Sequence, residues 1–318
     1  MDIYSLVKAA YPRINAFIRE TPLEYSYHLS KLCDCNVYLK LENQQVTGSF
    51  KARGALNKVL SLSRKEKEKG IIAASTGNHA AGVAYSLSIA GASGEIYMPE
   101  NVSDLKTRNL KQYKAVTIKN FGKDSVESEN IALKESRKND KVYISPYNDE
   151  LVIAGQGTIA VELVSQIPEL TDVLVPVGGG GLIAGIAAYL KNAKPDTKII
   201  GCQPENSAVM YHSIKAGKIL DMESQPTISD GTAGGIEEGS ITFPACQQFV
   251  DDYYLLTEEE ILAALRTLLE HHQILAEGAA GLSVAGLLKN KDDFKGRNVV
   301  LIICGNKISM ELLQRVLA

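Results

Sequence analysis

The sequence lacks a surplus of charge of either sign. It has 34 basic and 37 acidic residues among 318, which gives a formal charge of −3 at pH 7. Proteins that bind nucleic acid usually carry a basic surplus on one face, so the balance argues against a nucleic-acid partner. The one basic run, residues 64–69, mixes lysine and arginine with glutamate, as a solvated helix end does.

Long apolar runs and paired cysteines are also missing. No uncharged stretch is long enough to cross a bilayer, and Met1–Tyr4 lacks the build of a signal peptide, so we expect no membrane partner. The five cysteines are scattered, which is typical of proteins in a reducing cytoplasm. Cys33 and Cys35 are too close together for ordinary zinc spacing, and no second pair completes a site. We therefore expect no metal.

What the sequence does have is a regular alternation of short β-branched runs with longer amphipathic segments. This alternation predicts an α/β fold with parallel sheets and helices on both faces. Continuous apolar runs such as Val173–Val175 favour central strands that are buried on both sides. The predicted strands are 37–42, 70–74, 95–98, 115–119, 142–144, 172–177, 198–203 and 298–304, and the predicted helices include 77–90, 125–138, 150–166, 182–191 and 258–271.

Four consecutive glycines, Gly178–Gly181, lie between a predicted strand and a predicted helix. A backbone without Cβ atoms can approach an anion closely, and the N–H groups at a helix start point towards it. The segment therefore favours a phosphate site. A dinucleotide-binding turn would need Gly-x-Gly-x-x-Gly, which Leu182–Ala184 do not continue, and a plain tight turn seldom needs four glycines.

Lys51 follows the turn Thr47–Ser49 and starts a predicted helix. The positive end of a helix dipole lowers the pKa of such a lysine and favours the neutral amine that a Schiff base requires. An ordinary lysine at a helix start is the alternative.

Two further segments follow predicted strands. Ser75–His79 form a strand-to-helix turn suited to a carboxylate, in which His79 is either a general base or a residue that fixes the turn. Cys304 closes the last strand. Because ligands gather at the carboxyl ends of strands in open parallel sheets, we expect all four segments to converge.

Together these segments resemble the fold-type II pyridoxal-phosphate enzymes, in particular the branch of serine/threonine dehydratases (threonine ammonia-lyases) and serine racemases. The resemblance covers essentially the whole chain, and its most specific segments are Lys40–Lys51, Ile153–Thr158 and the tetraglycine. It implies an α/β fold similar to the tryptophan synthase β subunit, with two open parallel-sheet domains. Residues 1–64 and 146–318 would form a large cofactor-binding domain, and residues 65–145 a small mobile domain that closes over the site.

The resemblance also implies a role for each matching residue. Lys51 would bind pyridoxal 5'-phosphate covalently and serve as the base, and Thr76 would be its counterpart on the opposite face of the substrate. Phe50 would flank the cofactor ring, Asn78 would bond its hydroxyl and Cys304 would face its nitrogen. The cofactor-binding set is Phe50, Lys51, Asn78, Gly178, Gly179, Gly180, Gly181 and Cys304, and the substrate-binding set is Ser75, Thr76, Asn78 and His79.

Three positions depart from the pattern of this branch. Thr76 stands where serine racemases carry a serine, and its extra methyl counts against racemisation. The metal site of the branch uses an acidic residue at the end of the strand 198–203 and a second one in the next turn, where this chain has Gln203, Ser207 and Val209. Without carboxylates that place is a poor site for a hard cation. Cys304 stands where serine is common, and a neutral thiol does not stabilise a pyridinium, which favours elimination.

The implied protein is a cytoplasmic, homodimeric lyase that acts on a small amino acid. It would convert a 3-hydroxy amino acid such as L-threonine or L-serine into a 2-oxo acid and ammonia. An amino-acid racemase and a dehydratase for another substrate such as 3-hydroxyaspartate are the alternatives within the family. A nicotinamide dehydrogenase would have no use for Thr47–Lys51, and the intact Lys51 argues against a non-catalytic binding protein.

Overall fold

The computed structural model describes residues 1–102 and 104–318, and within those ranges the chain forms ten strands and fourteen α-helices. The strands are β1 Leu23–Tyr25, β2 Asn36–Lys40, β3 Ile71–Ala74, β4 Gly94–Met98, β5 Val116–Asn120, β6 Val142–Tyr143, β7 Asp172–Pro176, β8 Lys198–Pro204, β9 Asp252–Leu256 and β10 Asn298–Ile302.

The helices connect these strands, and none of those described is both long and apolar enough to cross a lipid bilayer. They are α1 Ile3–Ile14, α2 Tyr27–Cys33, α3 Lys51–Ser61, α4 Arg64–Lys69, α5 Asn78–Ala90, α6 Asp104–Lys111, α7 Ser125–Lys138, α8 Glu150–Gln166, α9 Gly181–Ala193, α10 Val209–Ala216, α11 Thr242–Phe249, α12 Glu258–His272, α13 Gly278–Lys289 and α14 Met310–Leu317.

The strands form two sheets. The larger has the order β1-β2-β10-β7-β8-β9, and the smaller has the order β5-β4-β3-β6. All pairs are parallel except β1 with β2, which are antiparallel. Only residues 26–35 connect those two strands, and a parallel crossover needs a dozen residues or more. The larger sheet therefore departs from the predicted all-parallel arrangement at one edge.

The central strands are covered on both faces. Every residue of β7 and of β3 is buried, and alternate side chains of a strand point to opposite faces of its sheet. In the larger sheet, β10 lies between β2 and β7, with Leu301 beside Leu39 on one side and Leu174 on the other. The predicted α/β fold is confirmed, and β7 and β10 are adjacent, so that their carboxyl ends lie together.

Glycines allow the helices next to β7 to pack very closely. A Cβ on Gly185 of α9 would lie 2.3 Å from the carbonyl oxygen of Ile153 in α8, and a Cβ on Gly157 of α8 would lie 2.8 Å from that of Gly185. The two backbones are therefore in direct contact. Since α9 begins at the last of the four glycines, this contact fixes the helix that follows the glycine turn.

We expect Gly185→Ala to lower the free energy of unfolding by about 2 kcal/mol or more, because overpacking against a backbone carbonyl outweighs the gain in helix propensity. Urea denaturation followed by circular dichroism measures it. The control is Asn192→Ala on the exposed face of the same helix, which should change stability by less than about 0.5 kcal/mol. Equal stability of the two variants would show that the α8–α9 contact is not tight.

Candidate active site

The segment after β2 is tied to the end of β10. The N–H of Phe50 donates to the carbonyl of Cys304 at 3.2 Å, and the N–H of Asn306 donates to the carbonyl of Gly48 at 3.0 Å. An antiparallel bridge between Ser49 and Gly305 lies between these bonds. The two segments that the sequence analysis placed at separate strand ends therefore run side by side, and α3 begins where they meet.

Lys51 is the first residue of α3, and its amine is enclosed by protein. Nζ donates to the carbonyl oxygen of Pro146 at 2.7 Å and lies 5.2 Å from the centre of the Phe50 ring. Burial lowers the pKa of Lys51 to about 8, while the nearby Cys304 and Glu277 act in the opposite direction. Burial is therefore the largest cause of the lowered pKa, and the charged neighbours oppose it. The result is an amine that loses its proton close to neutral pH.

Glu277, which the sequence analysis missed, is a buried carboxylate in the same pocket. It is 5% exposed and accepts from Asn78 Nδ2 at 3.0 and 2.9 Å and from the Lys307 N–H at 3.2 Å. The thiol of Cys304 lies 3.9 Å from its Oε1. Burial raises the pKa of Glu277 against the effect of its donors. An acidic residue directly before the buried helix α13 was the one local signal for it.

Cys304 remains a neutral thiol in this environment. It is buried, and burial together with the charge of Glu277 raises its pKa well above the usual range. A thiolate would therefore be unfavourable here, as the sequence analysis assumed for a residue facing a ring nitrogen.

Asn78 begins α5 in the turn that follows β3. Because its amide nitrogen donates to both oxygens of Glu277, its Oδ1 is turned the other way, and this buried atom has no hydrogen-bond partner among the described residues. In the same turn the Ser75 hydroxyl accepts from the N–H of Gly77 at 3.2 Å, and Lys307 Nζ donates to the carbonyl of Gly77 at 3.3 Å. Thr76 lies between them and is half-buried. The turn therefore offers one free acceptor at a fixed place.

The environment of His79 does not suit a general base. Its Nε2 donates to the carbonyl of Ile144 at 2.9 Å, and the ring is buried. Burial, with a smaller contribution from the charge of Lys51, lowers the pKa of His79 to about 3. The imidazole is therefore neutral and fixed, which favours the alternative in which it stabilises the turn. Its side chain is committed to Ile144, so a contact with a carboxylate would have to come from its main-chain N–H.

The glycine turn is shaped by neighbours that leave no room for side chains. Gly180 has φ +86°, and a Cβ on Gly178 would lie 3.0 Å from Thr232. A Cβ on Gly179 would lie 2.6 Å from the ring of Tyr147, and one on Gly181 would lie 3.0 Å from the same residue. Tyr147 directly follows Pro146, whose carbonyl holds the Lys51 amine. The segment 146–147 thus connects the lysine with the glycine turn.

These groups fit pyridoxal 5'-phosphate. The turn Gly178–Gly181 is a cradle without Cβ atoms at the start of α9, where the first N–H groups have no partner within the helix and can hold a phosphate. Lys51 supplies an amine for an aldehyde, and the orphaned Oδ1 of Asn78 is an acceptor for a ring hydroxyl. Phe50 lies beside the amine, as a residue flanking the ring would.

At the end of β8, where we expect no metal, the side chain is the amide of Gln203. Gln203 is buried, its Nε2 donates to the carbonyl of Val177 at 3.2 Å, and its Oε1 accepts from the N–H of Tyr211 at 2.8 Å. Ser207 shares a hydrogen bond with Ser224 at 2.8 Å. Both side chains are engaged with protein, and weak activation by divalent ions stays a prediction.

Comparisons with known proteins agree with this geometry. The chain is 40% identical over 314 residues to the L-threonine ammonia-lyase of Thermotoga maritima, covering 98% of this chain and 77% of that protein. The processed form of threonine deaminase isoform 2 from Solanum lycopersicum superposes with a TM-score of 0.93 at 33% identity, covering 99% and 92% of the two chains. Maize serine racemase superposes with a TM-score of 0.90 at 28% identity, covering 99% and 96%.

The family model described as pyridoxal-phosphate dependent enzyme matches residues 14–305, which span every candidate residue from Phe50 to Cys304. The match includes Lys51, the turn Ser75–His79 and the four glycines Gly178–Gly181. On this evidence and that of its relatives, the chain belongs to the family of pyridoxal-phosphate dependent enzymes.

Proposed function

We propose that this protein is a carbon–oxygen lyase that converts L-threonine or L-serine into a 2-oxo acid and ammonia. The enclosed Lys51 amine, with its pKa lowered to about 8, is the observation that carries the proposal, because it suits both cofactor attachment and proton removal. Relatives named threonine ammonia-lyase and threonine deaminase support the choice of substrate.

Each residue of the site has a separate role in the proposed reaction. When bound, pyridoxal 5'-phosphate supplies an electron sink for the negative charge that develops at Cα of the amino acid. Lys51 Nζ takes the proton from Cα, and the N–H groups of Gly178–Gly181 hold the phosphate. Asn78 Oδ1 accepts from the ring hydroxyl, and the turn Ser75–His79 binds the substrate carboxylate. Loss of the β-hydroxyl as water, followed by hydrolysis, gives the 2-oxo acid and ammonia.

The thiol of Cys304 and the β-methyl of Thr76 favour elimination over inversion. A neutral thiol leaves a ring nitrogen without a counter-charge, so a negative charge at Cα is short-lived and is relieved by expelling the β-hydroxyl. Serine racemase is the second candidate, since the maize enzyme shares the fold closely. Thr76 has a hydroxyl that can return a proton, but its β-branch restricts χ1.

We also propose that residues 65–145 close as a small mobile domain over the site, and that the protein is a cytoplasmic homodimer. The smaller sheet, β3 to β6, lies within residues 65–145, and the substrate turn at its edge contacts the larger sheet's segments through Asn78 and Lys307. Five free cysteines support a reducing compartment. The dimer rests on the family resemblance.

Lys51→Ala should abolish turnover and covalent cofactor attachment, because both depend on one amine. Loss of the general base alone removes about 10²–10⁴-fold in rate. Borohydride reduction followed by peptide mapping locates the cofactor in the unmodified protein, and a keto-acid assay measures turnover. Lys58→Ala, on the same helix and paired with Asp149, is the control and should retain both. A reduced cofactor on any lysine other than Lys51 would overturn the assignment.

Glu277→Gln should lower the pKa of Lys51 further, because the carboxylate is one of the groups that raise it. The rate at which acetic anhydride modifies Lys51 in cofactor-free protein, followed against pH by mass spectrometry, reports that pKa. The curve should move to lower pH. Glu237→Gln, which alters a carboxylate that accepts from Asn148 instead, is the control and should leave the curve in place. A curve that stays in place for Glu277→Gln would remove Glu277 from the electrostatics of the site.

The unmodified protein should form keto acid from L-serine or L-threonine faster than it inverts Cα. Thr76→Ser should shift the balance towards inversion, since it keeps the hydroxyl and removes the methyl, while Thr76→Ala should leave elimination largely intact. Chiral chromatography beside a keto-acid assay gives both rates. If the D-enantiomer accumulates faster than keto acid in the unmodified protein, the racemase is the better description.

A further inference from the structure

A cluster of four charged side chains is buried outside the pocket described above, and the proposed reaction uses none of the four. Lys40, Glu42 and Arg53 are 0% exposed and Glu162 is 1% exposed. Burying an ion costs several kcal/mol unless it is paired with good geometry. Two positive and two negative charges balance here, so the cluster is neutral as a unit.

Arg53 is the centre of this cluster and binds both carboxylates with two nitrogens each. Its Nε and Nη2 donate to Glu42 at 2.8 and 2.7 Å, and its Nη1 and Nη2 donate to Glu162 at 2.6 and 3.0 Å. Nη1 also donates to the hydroxyl of Thr158 at 3.2 Å. A planar guanidinium held on two edges has a fixed position and a fixed orientation.

Arg53 lies two residues after Lys51 on α3. Successive residues of an α-helix are turned by about 100°, so these two side chains leave the helix about 200° apart, on nearly opposite sides. Lys51 points into the pocket, where its amine meets Pro146, and Arg53 points to the cluster behind the helix. A rotation of α3 about its axis would therefore break the bonds of Arg53 and displace the Lys51 amine together.

The first turn of α3 is also held by close backbone contacts. A Cβ on Gly82 of α5 would lie 2.9 Å from the carbonyl oxygen of Lys51, and a Cβ on Gly155 of α8 would lie 2.5 Å from that of Arg53. Glu162 belongs to α8, and Glu42 belongs to the segment between β2 and α3. The ion pairs of Arg53 thus connect α3 to the helix on which it packs and to the chain that leads into it.

We propose that Arg53 is a positioning residue: its two paired carboxylates set the rotation of α3 and thereby the place of the Lys51 amine. This rests on the proposed function, in which that amine carries the cofactor and moves the proton. The competing explanation is that the cluster only stabilises the fold. If the cluster only stabilises the fold, loss of an ion pair at Lys40 should affect cofactor attachment and kcat as much as loss of one at Arg53. If Arg53 positions α3, only the change at Arg53 should affect them.

Lys40 provides the matched control. It is equally buried and bonds to the same Glu162 at 2.5 Å, to the carbonyl of Thr21 at 2.8 Å and to Gln166 at 2.9 Å, but it lies on β2 and not on α3. Arg53→Lys keeps the positive charge but loses the forked guanidinium that binds two carboxylates. Lys40→Met removes the positive charge and keeps a side chain of similar length. Both should lower Tm, because each disturbs a buried ion pair.

The readouts are the rate of cofactor attachment and the kinetic constants, all measured well below the lowest Tm. Pyridoxal 5'-phosphate is added to cofactor-free protein, samples are quenched with borohydride, and label on Lys51 is followed by peptide mapping. For Arg53→Lys we expect slower attachment and a kcat lowered by about 10²-fold with KM little changed, as for a displaced catalytic group. For Lys40→Met we expect the attachment rate and kcat to be close to those of the unmodified protein.

A second variant covers the case in which Arg53→Lys does not fold. Thr158→Val removes only the hydroxyl that accepts from Arg53, so it should slow attachment and lower kcat in the same direction by a smaller factor. If the Arg53 and Lys40 variants lose attachment rate and kcat equally, or if Arg53→Lys loses Tm alone, the positioning role is wrong. Failure of the unmodified protein to attach cofactor at Lys51 or to form keto acid would instead overturn the proposed function.

Discussion

Burial of an amine away from water lowers its pKa, and the rest of this site depends on how Lys51 is buried. The chain after β2 runs beside the end of β10, so α3 starts inside the protein. Its first residue meets the carbonyl of Pro146, and burial lowers the pKa of Lys51 to about 8. A base must have a pKa close to the working pH to be effective, and here the fold sets that value.

The acidic group in the pocket complements this amine. Burial raises the pKa of Glu277 as it lowers that of Lys51, so both groups are moved towards their neutral forms. The donors from Asn78 and from the Lys307 main chain favour the carboxylate and limit the effect on Glu277. When Lys51 takes up a proton, the ammonium that forms lies near Glu277, which raises the pKa of the amine. The site is therefore suited to receiving a proton at that nitrogen.

Much of the fold and part of the site could be predicted from the sequence, because those features depend on local patterns. The predicted helices 125–138 and 150–166 have the observed bounds of α7 and α8, and the glycine turn does follow β7. The strands β1 and β9 were missed; both are edge strands, and most of their residues are only partly buried or are exposed. Their place is decided by pairing with neighbours.

Parts of the site could not be predicted from the sequence for the same reason, because they depend on contacts between distant segments. Glu277 gains its role through Asn78, which is 199 residues away in the chain, and no local spacing relates the two. The state of His79 depends on the carbonyl of Ile144, which is known only once β3 and β6 are paired. By contrast, Lys51 and the four glycines could be proposed as cofactor-binding residues from the sequence, because a Schiff-base lysine and a phosphate turn each need a short run of particular residues.

The same contacts that hold the turn Ser75–His79 in place also affect the charges of the pocket. Asn78 and Gly77 follow a strand of the smaller sheet, whereas Glu277 and Lys307 belong to segments of the larger one. A movement that separated these segments would take two hydrogen bonds from Glu277, and the Asn78 donor lowers the pKa of that carboxyl. Glu277 is in turn one of the groups that raise the pKa of Lys51. The amide of Asn78 therefore links the position of the turn Ser75–His79 to the electrostatics around Lys51.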